Sequence, residues 1–480
     1  MAESGPSSAP TRSTATQLNV SFLTDVEGNW EYFVDFIKRS EALSFAAGPT
    51  WAADGTVDLV LTDGWRFVFG GDVCDKGGAV GGTVRVVRSL LALKRKYPSR
   101  VTILLGNRDL NKMRLTSEME ASQLKQLDAL PGPYWVAPAK RVTLKMFLKR
   151  QLTALKGEDL AQEEEEAADA ELAELNTPAN RLRYVLKETM GADGEFERRQ
   201  TELAVLRGVR PEEVTDEEVA LSFTESVQEG GFMREFIHAG RLAEVIGNTL
   251  YCHGGLIGGP WPTQPGVPAS HCIGFVPGRA SRLLDVTQWL DALEEWRQAE
   301  LKAWVARPHF SEEYAASDLR GEAPIWPQAA EARGGHRLMH YVVPGCEPSV
   351  VMGRHLDSLG MPASQGEGID EVASLLNSCG VTRLVVGHTP HGNCPTVMKI
   401  GGPREKPPCL EVIMVSKRPV APSPPSHPLP PCFDPSTPPP HPPPQPQALN
   451  PEPPTVLTLP HRPPHPHLSH LTPPPPPPPP

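Results

Sequence analysis

Five short apolar runs punctuate the chain: Asn19-Val-Ser-Phe-Leu23, Phe67-Val-Phe69, Val101-Thr-Ile-Leu-Leu105, Thr249-Leu-Tyr251 and Arg383-Leu-Val-Val386. Each is brief and bulky, the pattern of a buried strand. A polar block follows each one at once. The blocks are Thr24-Asp-Val-Glu-Gly-Asn29, Gly70-Gly-Asp-Val-Cys-Asp-Lys-Gly77, Gly106-Asn-Arg-Asp109, Cys252-His-Gly-Gly255 and Gly387-His-Thr-Pro390. Helical spacing then takes over. Trp30, Phe33, Val34 and Ile37 predict a helix opened by Asn29, and Val86, Val87, Leu90, Leu91 and Leu93 predict another that stops near Tyr97-Pro98. Ile369, Val372, Ala373, Leu375 and Leu376 lead through Gly380 into the last of the five runs. Strand, polar loop, helix is the repeating unit, which predicts an α/β fold. In such sheets ligands bind at the carboxyl ends of the strands, so carboxylates, an amide and imidazoles gathered there point to a metal centre.

Between residues 110 and 248 the pattern turns mostly helical, with Val142, Met146, Phe147 and Leu152 on one segment. This region reads as a helical insertion or lid over about 112–245, and the acidic run at 163–166 as a solvated helix face. A second helix-rich stretch at 286–305 carries Trp289, Leu293, Trp296 and Trp304, which suit inter-helix packing better than a ligand cage. Leu410-Glu-Val-Ile-Met414 starts one more strand.

Composition changes the picture at the ends. More than half of the 55 prolines of this 480-residue chain lie from Pro419 onward, ending in an unbroken run from Pro473 to Pro480. Such a stretch cannot bury enough apolar surface to offset its ordering entropy. Disorder is therefore expected for 416–480, and likewise for the polar residues 1–17, leaving 18–415 as the folded domain. The tail has two readings. Val415-Ser-Lys417 can be encoded by codons containing a splice-donor-like string, so the tail is either read-through of an unspliced intron or a genuine polyproline segment recruiting SH3- or WW-type partners. A net charge of -11 without basic stripes argues against nucleic acid or an anionic membrane as partner. No apolar run reaches membrane-spanning length, residues 1–17 lack the apolar stretch of a signal peptide, and the eight scattered cysteines fit reduced thiols, so a cytoplasmic location is expected.

The five blocks, in this order, resemble the calcineurin-like metallophosphoesterase superfamily, whose pattern is Asp-x-His, Gly-Asp-x-x-Asp, Gly-Asn-His-Asp/Glu, a His before Gly-Gly, and Gly-His. Its phosphoprotein-phosphatase and diadenosine-tetraphosphatase branch is the nearest in form. The resemblance implies two facing mixed β-sheets flanked by helices, with two divalent metal ions at the strand ends. Asp25 and Glu27 would bind the first ion, Asp72 would bridge both, and Asn107, His253 and His388 would complete the second. It further implies hydrolysis of phosphoric monoesters or phosphoanhydrides by a metal-bridging hydroxide, on a phosphorylated small molecule or phosphoprotein. Manganese suits the mixed oxygen and imidazole donors best, with iron, zinc or magnesium as alternatives.

The sequence departs from that pattern at the centre of the chemistry. Glu27 stands where the family has histidine; it either ligates a harder ion or faces away and caps the following helix. Arg108 replaces the histidine that, with Asp75, protonates the leaving group in the family. Arginine cannot be that acid, but it can clamp a phosphoryl oxygen or pair with Asp75 or Asp109. Lys76 takes the place of a phosphate-contacting arginine. The expectation is therefore a phosphate clamp of Arg108 and Lys76, with Asp75, water or His391 as proton donor. Two other readings stay open: a non-catalytic metal- or phosphate-binding module that retains the fold, and an adaptor acting through its proline tail. Cys252-His253 with His271-Cys272 is a weaker candidate for a structural zinc site, lacking the usual paired spacing.

Overall fold

A computed structural model describes residues 18–121, 127, 136, 140–156, 165–257, 271–312, 332–344, 347–357, 359–364, 368–389, 391, 394–401 and 409–415. The chain divides into a unit at 1–422 and one at 423–480; the second lies wholly outside the described residues. The expectations for 1–17, for the tail at 416–480 and for Glu163 and Glu164 fall outside them too.

The first polar loop lies between β1 (Asn19–Leu23) and α1 (Trp30–Arg39). Asn29 caps that helix, its Oδ1 accepting the Tyr32 amide at 2.9 Å. A small hairpin pairs β2 (Leu43–Phe45) with β3 (Leu59–Leu61), and β4 (Trp65–Phe69) then leads through the second block to α2 (Thr83–Lys96). After β5 (Val101–Ile103), the third block opens a short helix, α3 (Asn107–Asn111). Strands β1, β4 and β5 form a parallel three-stranded sheet in the order β1-β4-β5.

Helices dominate the stretch after it: α4 (Leu115–Glu118), α5 (Leu144–Lys156), α6 (Glu165–Leu175), α7 (Pro178–Tyr184), α8 (Glu195–Arg207), α9 (Asp216–Ser226) and α10 (Phe232–Ala239). On α5 the buried face is Leu144, Leu148 and Leu152, while Met146 is exposed. Spacing of i, i+4 sets that stripe, and Phe147 packs against the same core from its edge. Helix α8 completes α2: Gly82 has no side chain to cap it, and the buried Glu202 carboxylate accepts the Val84 and Arg85 amides at 3.0 and 3.1 Å.

The second sheet is mixed, ordered β6-β7-β8-β10-β9. Its members are β6 (Ala243–Ile246), β7 (Thr249–Cys252), β8 (Arg383–Val386), β9 (Thr396–Ile400) and β10 (Leu410–Met414). Strands β7 and β10 both run parallel to β8. Between β7 and β8 lie α11 (Val286–Ala306), α12 (His336–Tyr341) and α13 (Ile369–Ser378). On α11, Trp289 and Trp304 are fully buried and donate their Nε1 protons to Phe275 O and Thr116 Oγ1, and Trp296 packs on Tyr341. These rings serve packing.

The two sheets face one another. Val20, Phe22, Val68 and Leu104 from the first side meet Ile246, Tyr251, Val385 and Ile413 from the second, forming a separate inner cluster. Their neighbours Leu23, Phe67, Phe69, Val101, Leu250, Leu384, Val386 and Val412 point the other way, into the main helix-covered core. Alternate residues thus enter different apolar layers, which is why these strands read as continuous apolar runs. The fold is α/β, two facing sheets flanked by helices. Among the described residues no helix is long and apolar enough to cross a membrane.

Candidate metal centre

Among the described residues, the non-glycine positions with φ in the left-handed region are Asp25 (51°), Glu27 (50°), Asp72 (55°), Asp75 (105°) and His388 (61°). All belong to the polar blocks. Each such backbone costs on the order of 1–3 kcal/mol and persists only where surrounding structure imposes it, as at functional sites.

Here the imposing structure is the carboxyl-end edge of the parallel strands. Asp25 follows β1, Asp72 follows β4, Asn107 follows β5, His253 follows β7 and His388 follows β8. Hydrogen bonds between blocks hold them in place. Asp25 N donates to Gly71 O at 3.0 Å and Glu27 N to Asp72 O at 2.9 Å; Asp25 Oδ2 accepts from Thr24 Oγ1 at 2.7 Å and from His388 N at 3.1 Å. The last bond joins the two ends of the domain. Asp109, fully buried, accepts from the amides of Asp72 (2.9 Å), Val73 (2.8 Å) and Gly106 (2.7 Å), locking the second block to the third. Glycine is needed where they cross. A Cβ at Gly71 would lie 2.6 Å from Gly106 N, and one at Gly106 would overlap Asp72 Oδ1.

Asp72, His253 and His388 form a group able to hold a metal ion: one ligand atom from each falls within 4.8 Å of the others. The imidazole rings stand 5.1 Å apart, and His253 Nδ1 lies 2.8 Å from Gly70 O. That contact makes Nδ1 the protonated nitrogen and turns Nε2 toward Asp72 Oδ1, 3.4 Å away. Three buried atoms here have no hydrogen-bond partner: Asn107 Oδ1, His253 Nε2 and His388 Nε2. Burying polar atoms unpaired is costly. Two unpaired imidazole nitrogens within reach of a carboxylate are donors a divalent ion of intermediate hardness takes, so Asp72, His253 and His388 fit one, and the unpaired Asn107 amide oxygen is of the same kind.

The charges follow from burial and proximity. Burial opposes ionisation of Asp72, but His253, Arg108 and His388 outweigh it and hold the carboxyl below its usual range. Burial pushes His253 down and Asp72 pushes it further up, to about 10, while burial and the nearby His253 take His388 down to about 3. Burial, with the Asp72 charge, raises Asp25 to about 6 and Asp109 to about 7.

Glu27 and Arg108 meet each other. Arg108 Nε lies 3.0 Å from Glu27 Oε1 and 3.5 Å from Asp72 Oδ2, and Nη1 lies 3.7 Å from Asp75 Oδ2. Of the two partners open to Arg108, the structure brings it to Asp75; Asp109 is engaged by backbone amides. Asp75 is fully buried, and both its oxygens lie 2.7 Å from Lys112 Nζ. Burial opposes charge on Lys112, yet Asp75 outweighs it and holds the ammonium above its ordinary value. The Asp75 carbonyl accepts from Arg198 on α8 at 2.6 Å. Lys112 was not among the sequence candidates. Its only signal was a lysine one helical turn beyond Arg108, on α3's extension.

Lys76 is exposed on the same loop as Asp75. His391 lies between β8 and β9, and its carbonyl accepts from Thr396 Oγ1. The zinc candidate forms no ligand group: Cys252 Sγ donates to Gly254 O, and His271 pairs with Glu371 at 3.1 Å. No cysteine joins a metal-type group among the described residues.

No family model and no curated relative matches this chain. Among solved structures it is similar to a mutant cold-active protein tyrosine phosphatase, at 14% identity over 83% of this chain and 70% of that one, with a TM-score of 0.32. It is similar as well to a cold-active protein tyrosine phosphatase at 15% identity over 83% and 69%, TM-score 0.31. A third is the cold-active protein-tyrosine phosphatase of a psychrophile, Shewanella sp., at 14% identity over 84% and 75%, TM-score 0.29.

Proposed function

We propose that this chain is a metal-dependent phosphoesterase whose centre is Asp72, Asn107, His253 and His388. The observation that carries the reading is the convergence of unpaired buried donors on the carboxyl edge of the sheets. Two positively charged side chains, Arg108 and the exposed Lys76, belong to the blocks at that same edge, and cations beside a metal site suit a phosphoryl dianion. A divalent ion, when bound, would neutralise phosphoryl charge and lower the pKa of a water near neutral pH.

The chain's own residues set the substrate preference. Arg108 cannot give up a proton, and Asp75 is fully buried and ion-paired with Lys112. Leaving groups that need little protonation, aryl phosphates or phosphoanhydrides, are therefore favoured over alkyl phosphates. Metal analysis of the purified protein followed by a phosphoester panel tests this. Faster hydrolysis of p-nitrophenyl phosphate than of a phosphoserine peptide is expected, and equal efficiency would sink the preference. The same ion pairs favour one rival, a binding module that retains the fold without catalysis. No turnover on any phosphoester with metal bound would select it.

A further inference from the structure

We infer that the centre is built for a single divalent ion, with the Arg108 guanidinium standing as the second cation. The inference rests on the metal-centre reading above and concerns how the edge divides. Asp72 faces two ways. Its Oδ1 is 3.4 Å from His253 Nε2, and Asp72, His253 and His388 share one ligand group in which both imidazole Nε2 atoms are unpaired. Its Oδ2 is 3.5 Å from Arg108 Nε, which lies 3.0 Å from Glu27 Oε1. The carboxylate thus bridges an ion site and a guanidinium.

The residues that would complete a second ion site are otherwise engaged. Glu27 and Asp72 Oδ2 have Arg108 Nε between them, and Asp25 Oδ2 accepts from Thr24 Oγ1 and His388 N. Neither Asp25 nor Glu27 joins the group of mutually close ligand atoms. A dication at Glu27 would have to sit against a group that is always protonated. Arg108 is no loose surface side chain that could swing clear: its Nη1 reaches toward Asp75 and hydrogen-bonds Gly191 O at 3.4 Å, and its amide donates to Asp72 Oδ1 at 3.0 Å. A guanidinium donates hydrogen bonds and offers no coordination position, so the edge has one Lewis-acid position and one fixed donor.

Equilibrium dialysis of the full-length protein against Mn2+, with Asp72→Asn dialysed in parallel, tests this. The difference between the two counts only ions that need Asp72, and one equivalent is expected. Two equivalents would overturn the inference and leave metal-dependent hydrolysis standing; none would overturn both readings. Arg108→Ala should raise the difference to two, with Mn2+ electron paramagnetic resonance changing from isolated to exchange-coupled ions. A folded Arg108→Ala still binding one would overturn the role given to the guanidinium. Glu27→Gln, which keeps shape and fold without relying on Arg108 replacement, should leave the wild-type equivalent in place, and its loss would overturn the inference.

Discussion

The two halves of this edge lie at similar depth, yet one presents imidazole and amide atoms without partners and the other is closed by ion pairs. Around Asp72, the Nε2 atoms of His253 and His388 are buried without partners, and the ligand atoms of the three residues lie within 4.8 Å of one another. Around Asp75, the carboxylate is met by Lys112 and Arg108, the carbonyl by Arg198, and Glu27 by Arg108. Burial alone therefore does not mark a ligand site. What marks it is burial whose cost nothing in the chain offsets, since left-handed backbone occurs in both halves, at Asp72 and His388 as at Glu27 and Asp75. In the saturated half the same tools make a structural clamp.

The sharpest way to break this contrast is Lys112→Met. It leaves Asp75 buried beside a weaker, more distant partner, and unfolding in urea should show a loss of about 3–5 kcal/mol, as for a broken buried ion pair. Bound metal should not change. The reverse behaviour is expected of His388→Gln. Removing a donor that has no protein partner should alter the unfolding free energy of chelator-treated protein by less than about 1 kcal/mol, while weakening Mn2+ binding by more than about a hundred-fold. If both variants lose stability alike, the distinction fails.

Gly106→Ala probes the seam. A methyl there overlaps Asp72, which belongs to both halves, so a loss of about 1–3 kcal/mol together with weaker metal binding is expected. A variant that loses only one of the two would show the halves to be independent.

The smallest effect concerns a third imidazole. His355 is buried beneath the loop after His253, with Nε2 accepting the Leu256 amide at 3.1 Å, and burial pushes it down to about 4. It is neutral in the fold, whereas the unfolded chain takes the proton near 6.5. Its contribution is thus intact above that pH and is lost as pH falls toward 4. At pH 5.5 the loss should be about 1.4 kcal/mol. His355→Gln should flatten that part of the stability-against-pH curve.

The ligand-bearing loops were legible in the sequence because the physics that makes a strand end is local. A bulky run stops, glycine permits the turn, and Asp, Asn or His comes next; the Asn29 cap is equally local. Partner choice was not legible. Arg108 had Asp75 and Asp109 open to it, and only the geometry of the third block, where Asp109 turns inward to collect three amides, decided between them. Glu27 had the choice of capping or ligating, and the fold sets it against the Arg108 guanidinium.

The chain by itself determined the order of elements, the polar blocks at their ends and the residue types gathered there, because turn chemistry and apolar periodicity act over a few residues. The tertiary structure decided which of those groups would be paired. Lys112 reaches Asp75 across 37 positions, Glu202 caps α2 across 118, and the His388 amide finds Asp25 across 363. Such pairings depend on strand register and helix packing, which no stretch of sequence encodes alone, and they separate the open half of the edge from the closed one.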